Sequence, residues 1–350
     1  MTSFLTDQQS VGTTDETGPD DFLVVDNLSV QFPTHDGLVQ AVNDLSYSVK
    51  MGETLGIVGE SGSGKSVSSM AVLGLHDEKR SRITGSIRVG GREIIGASES
   101  TLRKVRGNEV AMIFQDPLTA LHPFYSIGRQ IGEAYRIHHD VSKAVARTKA
   151  IEMLDRVGIP QAKSRVDDFP HQFSGGMRQR AMIAMALMCT PKLLIADEPT
   201  TALDVTVQAQ IMALLAGLKA EHRMSMILIT HDLGVVAGVA DRVMIMYAGR
   251  VVETGPLREV YETAGHPYTR GLMASIPDLS GARDRLTPIP GAPPDLTRLP
   301  GGCAFRPRCA FATEVCATER PELRIVPTRP EAHRAACHHA QEVVTDGVAG

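Results

Sequence analysis

The chain has 350 residues, 43% of them hydrophobic, a formal net charge of -4 and a sequence pI near 6.3. That composition suffices for a sizeable core, and the slightly acidic balance argues against a broad basic surface for nucleic acid. No stretch reaches the run of about 18 apolar residues that crosses a bilayer. The first Lys or Arg is Lys50, so a secretory signal with its basic start is not expected. We therefore expect a cytosolic globular protein that does not itself span a membrane.

The first 21 residues are rich in Thr, Ser, Gln, Asp and Glu, with few large apolar groups to offset the entropy of ordering. A disordered tail is predicted there, over residues 1–21. From Phe22 onward, short apolar or β-branched runs alternate with longer helical patterns, which predicts an α/β fold with a largely parallel sheet. These runs lie at residues 54–58, 110–114, 193–196 and 225–230.

A glycine-rich loop follows the first of these runs and precedes a helix predicted at residues 70–75. It matches the phosphate-binding pattern G-x-x-x-x-G-K-[ST] in the strand-loop-helix setting that the motif requires. Glycines let successive N–H groups turn inward, and the helix N-terminus adds about half an elementary charge. We expect Lys65 to contact the β- and γ-phosphates and Ser66 to bind Mg²⁺. The loop consists of Gly59, Glu60, Ser61, Gly62, Ser63, Gly64, Lys65 and Ser66.

Two acidic residues end the run at 193–196, where an enzyme with such a loop needs its second acidic site. Asp197 is expected to hold Mg²⁺. Glu198 is expected to orient and deprotonate the attacking water, a role typically worth about 10²- to 10⁴-fold in rate. The pair therefore points to hydrolysis of a phosphate anhydride.

A second candidate anion site precedes the helix predicted at residues 181–188. Ser174 is a favourable N-cap residue, and the two glycines that follow it, Gly175 and Gly176, allow a phosphate to approach exposed N–H groups. Upstream, apolar residues recur at helical spacing between residues 127 and 157 with no strand between them. A helical insertion is predicted there.

Together these motifs resemble the ABC ATPase family, which carries the phosphate loop, Ser174-Gly175-Gly176 and Asp197-Glu198 in this order and spacing. The resemblance implies a P-loop ATPase that binds ATP and Mg²⁺ and works as a two-subunit sandwich. It also implies roles for four further residues: Gln115 touches Mg²⁺ and the membrane partner, Asp204 lies at the dimer seam, His231 contacts the γ-phosphate, and Phe32 stacks on adenine.

The C-terminal part resembles more narrowly the oligopeptide, dipeptide and nickel importer ATPases. The resemblance is carried by Gly265 through Arg270, by residues 289–294 and by the cysteines, after a stretch in which six prolines fall between Pro277 and Pro300. It implies a nucleotide-binding domain at residues 22–265, with a helical subdomain at about 127–180, and a C-terminal extension at 266–350. It also implies a related second ATPase, two permeases, an extracytoplasmic binding protein and a peripheral position on the cytoplasmic face of the membrane.

The four C-terminal cysteines leave gaps of five, six and twenty residues, unlike the short C-x-x-C spacing of most zinc fingers. Four thiolates are the number that a [4Fe–4S] cluster needs, and some relatives of this branch carry such a cluster. The spacing leaves open a cluster, a zinc ion and free thiols. These residues are Cys303, Cys309, Cys316 and Cys337; the fifth cysteine, Cys189, is expected in the core.

Peptide import driven by ATP hydrolysis is the function that these features predict, with nickel or metal-chelate import as the alternative within the same branch. A soluble ABC ATPase acting on ribosomes or DNA is disfavoured, because the chain has one set of motifs and no long coiled-coil pattern. A small-molecule kinase with the same loop leaves Ser174-Gly175-Gly176 and His231 unexplained.

Overall fold

The structure is a computed structural model that describes residues 20–201, 203–275, 288–326 and 332–348, with side chains described up to residue 346. Most of the predicted tail and residues 277–287 of the proline-rich stretch lie outside the described residues. Asp21, the last residue of the predicted tail, is ordered because it already pairs with Lys50 in a strand.

The described residues form twelve strands and thirteen α-helices. The strands are β1 Asp21–Thr34, β2 Gly37–Lys50, β3 Thr54–Val58, β4 Arg82–Val89, β5 Arg92–Glu93, β6 Val110–Ile113, β7 Leu193–Asp197, β8 Ser225–Thr230, β9 Arg242–Tyr247, β10 Arg250–Pro256, β11 Arg324–Ile325 and β12 Arg334–Ala335. The helices are α1 Lys65–Val72, α2 Glu99–Val105, α3 Pro117–Ala120, α4 Ile127–His138, α5 Lys143–Arg156, α6 Ala162–Arg165, α7 Gly175–Leu187, α8 Val205–His222, α9 Leu233–Ala237, α10 Leu257–Glu262, α11 Pro267–Ala274, α12 Val315–Thr318 and α13 Ala340–Val348. Two short 3₁₀ turns add Pro170–Gln172 and Arg306–Arg308.

The strands form two sheets, a small antiparallel one in the order β2-β1-β4-β5 and a large one in the order β11-β12-β10-β9-β3-β8-β7-β6. In the large sheet β9, β3, β8, β7 and β6 run parallel, which confirms the predicted α/β fold. β3, β7 and β8 are buried along their whole length, as expected for central strands covered on both faces.

Two hydrophobic cores hold these layers together. One packs the large sheet against the helices, with Ile131 of α4, Leu154 of α5 and Ile183 of α7 all fully buried. The other packs the large sheet against the small one, with Leu28 of β1 and Ile57 of β3 inside it. The helical insertion predicted between residues 127 and 157 is thus present as α4 and α5, and it is anchored by its own apolar face.

The bounds of the predicted strands agree with the structure to within one residue, and those of two helices do not. The helix predicted at 181–188 begins instead at Gly175, directly after the Ser174 cap, and ends at Leu187. The predictions for residues 54–58 and 225–230 match β3 and β8 residue for residue. The helix predicted at 70–75 begins instead at Lys65, directly on the glycine loop, and ends at Val72. It stops there because Gly74 takes a left-handed φ of 59° and Leu75 donates back to the carbonyl of Met70.

The C-terminal residues extend the large sheet. β12 pairs with β10 through Glu253 and Ala335, and β11 pairs with β12 in turn. The part of the chain after α11 is therefore hydrogen-bonded to the same sheet that carries the glycine loop. None of the helices in the described residues is long and apolar enough to cross a bilayer.

Candidate functional site

The glycine loop wraps around the amine of Lys65. The Nζ of Lys65 donates to the carbonyls of Gly59 at 2.6 Å and Glu60 at 3.0 Å, and it lies 3.4 Å from the Oγ of Ser63. Burial lowers the pKa of Lys65, an effect that the carboxylates of Glu198, Asp197 and Glu60 oppose. A buried ammonium ringed by carbonyls is poised to turn toward an anion that enters the loop.

Glycine is required at two points of this loop. Gly64 has a φ of 99°, and a Cβ there would lie 2.3 Å from the carbonyl oxygen of Ala41. A Cβ on Gly59 would lie 2.3 Å from the carbonyl oxygen of Met246. Both distances are far inside van der Waals contact, so the loop keeps its shape only without these side chains. The backbone of β9 and of β2 therefore supports the loop from behind.

Asp197 ends β7 beside the loop. The hydroxyl of Ser66 donates to the Oδ1 of Asp197 at 3.1 Å, and the Asp197 side chain is buried. Burial raises the pKa of Asp197, and the Ser66 hydrogen bond works against that rise. A buried carboxylate beside a hydroxyl oxygen is a suitable pair of hard ligands for a magnesium ion.

Glu198 is held by three side chains that follow three neighbouring strands. Gln115 donates to its Oε2 at 2.9 Å and Thr201 at 2.8 Å, while the Nδ1 of His231 lies 3.4 Å from its Oε1. Gln115 follows β6, Thr201 follows β7 and His231 follows β8. These groups meet because the carboxyl ends of adjacent parallel strands lie at one edge of a sheet.

The pKa of Glu198 is lowered overall. Burial alone would raise it, but the hydrogen bonds from Thr201 and His231, together with the charge on Lys65, outweigh that effect. The carboxylate is therefore ionised at neutral pH and able to accept a proton from water. Its backbone φ of 45° lies in the left-handed region, which residues other than glycine adopt only uncommonly.

Ser174, Gly175, Gly176 and Asp204 form a separate group. The Ser174 side chain caps α7 by accepting from the N–H of Met177, and Asp204 caps α8 by accepting from Val207. A Cβ on Gly176 would come 3.2 Å from Val207, so the tips of α7 and α8 are neighbours. Within the described residues, no hydrogen bond or ion pair links these four residues to Lys65, Asp197 or Glu198.

Phe32 lies near the end of β1 and is half-buried. Its ring meets the ring of His76 edge to face, with 5.6 Å between the centroids. His76 in turn contacts the carbonyl of Val67 in α1, 2.7 Å from its Nε2. Phe32 is thus connected through His76 to the helix that starts at the glycine loop, while part of its own ring surface stays open.

The four C-terminal cysteines gather in one module. Burial raises the pKa of Cys303, of Cys309 and, to about 12, of Cys337, and the charge of neighbouring cysteines adds to each rise. The N–H of Cys303 donates to the carbonyl of Cys316 at 2.9 Å. In the described part of the chain, however, no three Cys, His, Asp or Glu side chains are arranged to hold a metal ion.

A cavity of about 410 Å³ lies beside this module. Its walls include Tyr47 from β2, Arg250 from β10, and Cys303 and Phe305 from the C-terminal part. None of the residues of the glycine loop lines it. The chemistry of the loop and of Asp197 and Glu198, rather than the size of a cavity, therefore locates the candidate site.

Comparison with known proteins agrees with this geometry. Residues 42–201 match the ABC transporter family, and residues 252–316 match the C-terminal region of oligopeptide/dipeptide transporters. The oligopeptide transport ATP-binding protein OppD of Escherichia coli (strain K12) is 53% identical over 310 residues, which cover 89% of this chain and 92% of OppD. The chain belongs to the ABC transporter family.

Other members of the ABC transporter family support the assignment. OppD of Haemophilus influenzae is 54% identical over 294 residues, or 84% of this chain and 91% of that protein. The dimeric post-hydrolysis structure of the ATP-binding cassette MJ0796, bound to ADP and Pi, has a TM-score of 0.61 at 26% identity and covers 67% of this chain and 99% of that one. CbiO1 of Clostridium perfringens, part of the transporter complex cbiONQ, reaches 0.58 at 29%, with 69% and 91% covered.

Three residues of this ABC site are missed by sequence reasoning alone. Thr201 donates a hydrogen bond to Glu198. It lies in the stretch between Glu198 and Asp204, and its hydroxyl is the feature of the sequence that could indicate this contact. Tyr268 and Arg308 contact Glu60 of the glycine loop from the C-terminal part. Nothing in their local sequence indicates that contact, because it depends on the tertiary fold.

Proposed function

We propose that this chain is the ATP-hydrolysing subunit of an ABC importer for di- or oligopeptides. The observation that carries the proposal is the joining of the Lys65, Ser66, Asp197 and Glu198 site to a C-terminal region of the oligopeptide/dipeptide transporter type. The two OppD relatives are oligopeptide transport proteins by name. We assign residues 22–265 to the nucleotide-binding domain and 266–350 to the extension.

In this proposal the glycine loop holds the phosphates of ATP. Lys65 leaves the carbonyls of Gly59 and Glu60 for the β- and γ-phosphates, and the half-buried Phe32 stacks on the adenine. Ser66, Asp197 and Gln115 would hold Mg²⁺. Ser66 and Asp197 already lie 3.1 Å apart, and oxygen atoms of this kind are the ligands that Mg²⁺ prefers. When bound, Mg²⁺ neutralises charge that develops on the phosphate oxygens.

Glu198 acts as the general base. Its ionised carboxylate takes a proton from the attacking water, whose oxygen bonds to the γ-phosphorus as the bond to the ADP oxygen breaks. His231 is 61% exposed, so it is free to reach the γ-phosphate from the far side of Glu198. Gln115 and Thr201 keep the carboxylate oriented until nucleotide and water are in place.

A second, homologous ATPase subunit completes the site. At the tips of α7 and α8, Ser174, Gly175 and Asp204 are exposed and Gly176 is half-buried. Among the described residues, none of the four is hydrogen-bonded to the glycine loop. Val205 beside Asp204 is 83% exposed, so the tip of α8 is open to contact with another subunit. The partner's glycine loop is the surface that these helix tips fit, and a dimer with a distinct ATPase is the arrangement we favour.

The permeases dock next to Gln115. After this residue the chain exposes a run of large apolar side chains, with Leu118 60% and Phe124 80% accessible, and Tyr125 at the edge. Such a patch marks a protein interface. We infer that two transmembrane permeases bind here, that an extracytoplasmic binding protein delivers peptide to them, and that this chain sits on the cytoplasmic face of the membrane.

For the cysteine module we propose a [4Fe–4S] cluster held by Cys303, Cys309, Cys316 and Cys337. The mutual charge effects of these thiols support their proximity, and four thiolates are a complete ligand set. The raised pKa values of Cys303, Cys309 and Cys337 mean that a cluster must displace a proton from each of these thiols when it binds. Iron and sulfide analysis of protein purified without oxygen tests this: about four irons per chain are expected, whereas stoichiometric zinc, or thiols free to react, would exclude the cluster.

The transport function is tested by reconstituting the chain with its permeases and second ATPase in vesicles. Peptide uptake is expected only when ATP is inside the vesicles, on the same side as this chain, and the binding protein is outside. The matched control is Glu152→Gln on the exposed face of α5, which is expected to leave uptake unchanged. Uptake of nickel chelates but not of peptides would overturn the proposed cargo.

A further inference from the structure

One residue of the glycine loop, Glu60, is contacted by the C-terminal part of the chain. Arg308 donates from both terminal nitrogens to the two carboxylate oxygens of Glu60, at 2.6 and 2.9 Å. The N–H of Glu60 donates to the hydroxyl of Tyr268 at 2.8 Å. The side chain of Glu60 is therefore bound by a residue 248 positions away, and its N–H by a residue 208 positions away.

Arg308 is fixed from several sides. Its side chain is only 3% exposed, its Nε donates to the carbonyl of Pro290 at 2.9 Å, and it lies 3.4 Å from the hydroxyl of Tyr247. The hydrogen bonds to Glu60 raise the pKa of Arg308, so the guanidinium stays charged. A bidentate pair between a buried Arg and a carboxylate gives direction as well as attraction.

Tyr268 is fully buried at the start of α11, and its ring packs 4.7 Å from that of Tyr247 and 5.4 Å from that of Phe305. Pro293, Pro294 and other residues of the proline-rich stretch share a small crevice with Glu60. The C-terminal part is thus packed closely against the glycine loop at Glu60.

The third polar group of Glu60, its carbonyl, accepts from the Nζ of Lys65. A residue whose carboxylate and N–H are both anchored cannot rotate its carbonyl freely. Arg308 and Tyr268 therefore act on Lys65 through Glu60, although neither touches Lys65.

We propose that Arg308 and Tyr268 are positioning residues for ATP binding, which hold Glu60 so that the glycine loop and Lys65 are preformed for the phosphates. The C-terminal extension is in this sense part of the nucleotide site. The proposal rests on the assigned role of Lys65 and adds two residues from outside the region that matches the ABC transporter family model, residues 42–201.

The test is Arg308→Ala in the assembled transporter, with Arg306→Ala as its matched control. Arg306 lies in the same 3₁₀ turn but is exposed. We expect the KM for ATP to rise about tenfold in Arg308→Ala while kcat changes less than about twofold, because a preformed binding geometry is lost and the catalytic base is not. Arg308→Lys is expected to recover only part of the loss, since Lys cannot make the bidentate pair.

Two further variants keep the test decisive if Arg308→Ala folds poorly. Tyr268→Phe removes only the hydroxyl and is expected to raise the KM for ATP about threefold. Combining Glu60→Gln with Arg308→Ala is expected to give much less than the sum of the single effects, because both break one contact. A merely structural anchor would lower the melting temperature and the amount of active complex without changing KM.

Lys65→Ala separates this proposal from the assignment of the site itself. If Lys65→Ala abolishes ATP binding while Arg308→Ala and Tyr268→Phe keep the KM of the Arg306→Ala control, the positioning role is wrong and the site stands. If Lys65→Ala binds ATP normally, the assignment of the site fails first. Additive effects of Glu60→Gln and Arg308→Ala would also contradict the positioning role.

Discussion

Glu198 combines a strained backbone with three hydrogen-bonding neighbours. A left-handed φ of 45° costs free energy for a residue with a side chain, of order 1 kcal/mol or more, and persists only where the surroundings enforce it. Here Gln115, Thr201 and His231 supply that constraint. The strained backbone thus occurs at a residue whose carboxylate must point in one direction for the chemistry.

For Glu198→Gln we expect ATP hydrolysis to fall by about 10²- to 10⁴-fold, because the amide cannot accept the proton of water. ATP binding should be retained, since Lys65 and the glycine loop are unchanged. Single-turnover release of phosphate and the dissociation constant for ATP measure the two effects. Glu152→Gln on α5 is the control, and hydrolysis by Glu198→Gln at the rate of this control would show that another group is the base.

At the scale of elements, α11 depends on a buried histidine. The Nδ1 of His266 accepts from the N–H of Tyr268 at 3.1 Å and so caps the helix. His266 is fully buried, and this burial lowers its pKa to about 3. The neutral ring is therefore the form that the fold requires, and α11 in turn carries Tyr268 to the glycine loop.

Because of His266, we expect the stability of the folded protein to depend on pH. In the unfolded chain His266 takes up a proton near its ordinary pKa of about 6.5, whereas in the folded chain it does so only near 3. Its contribution is therefore complete above about pH 6.5 and is lost as pH falls, at about 1.4 kcal/mol per unit. The free energy of unfolding, measured with urea at pH 7, 6 and 5, should depend less steeply on pH in His266→Asn, which keeps a capping oxygen. An unchanged slope would mean that other groups dominate.

Across the whole molecule, one buried pair joins the C-terminal part to the large sheet. Glu253 of β10 accepts from the Nε2 of His333 at 2.8 Å and from the N–H groups of Gly265 and His266 at 2.6 and 3.0 Å. Both side chains are fully buried. The site is therefore a junction between the sheet, the start of α11 and the strand β12.

We expect Glu253→Ala to destabilise the protein by about 3–5 kcal/mol, because three buried donors lose their acceptor. The free energy of unfolding measured with denaturant tests this. Glu262→Ala is the control. Glu262 pairs with Arg258 on an exposed face of α10, so its loss should change the free energy of unfolding little. A change in Glu253→Ala no larger than in Glu262→Ala would rule out this junction as a main support of the fold.

Local patterns in the sequence determined the parallel strands and the motif residues. The runs at 54–58 and 225–230 are short and mostly apolar, as is typical of strands buried on both faces, and β3 and β8 match them. Gly59 through Ser66 needed no more than eight neighbouring residues to be identified. Lys65, Asp197 and Glu198 follow from the ends of predicted strands, because chain direction places those ends together.

Only the tertiary structure decided how distant residues serve that site. The start of α1 depends on the shape of the loop before it, and the hydrogen bond from Thr201 depends on the turn after β7. The pairing of Arg308 with Glu60 spans 248 residues and leaves no periodic trace in either segment. Periodicity encodes which face of an element is buried, whereas a single contact between far-apart polar side chains depends on the packing of every element between them.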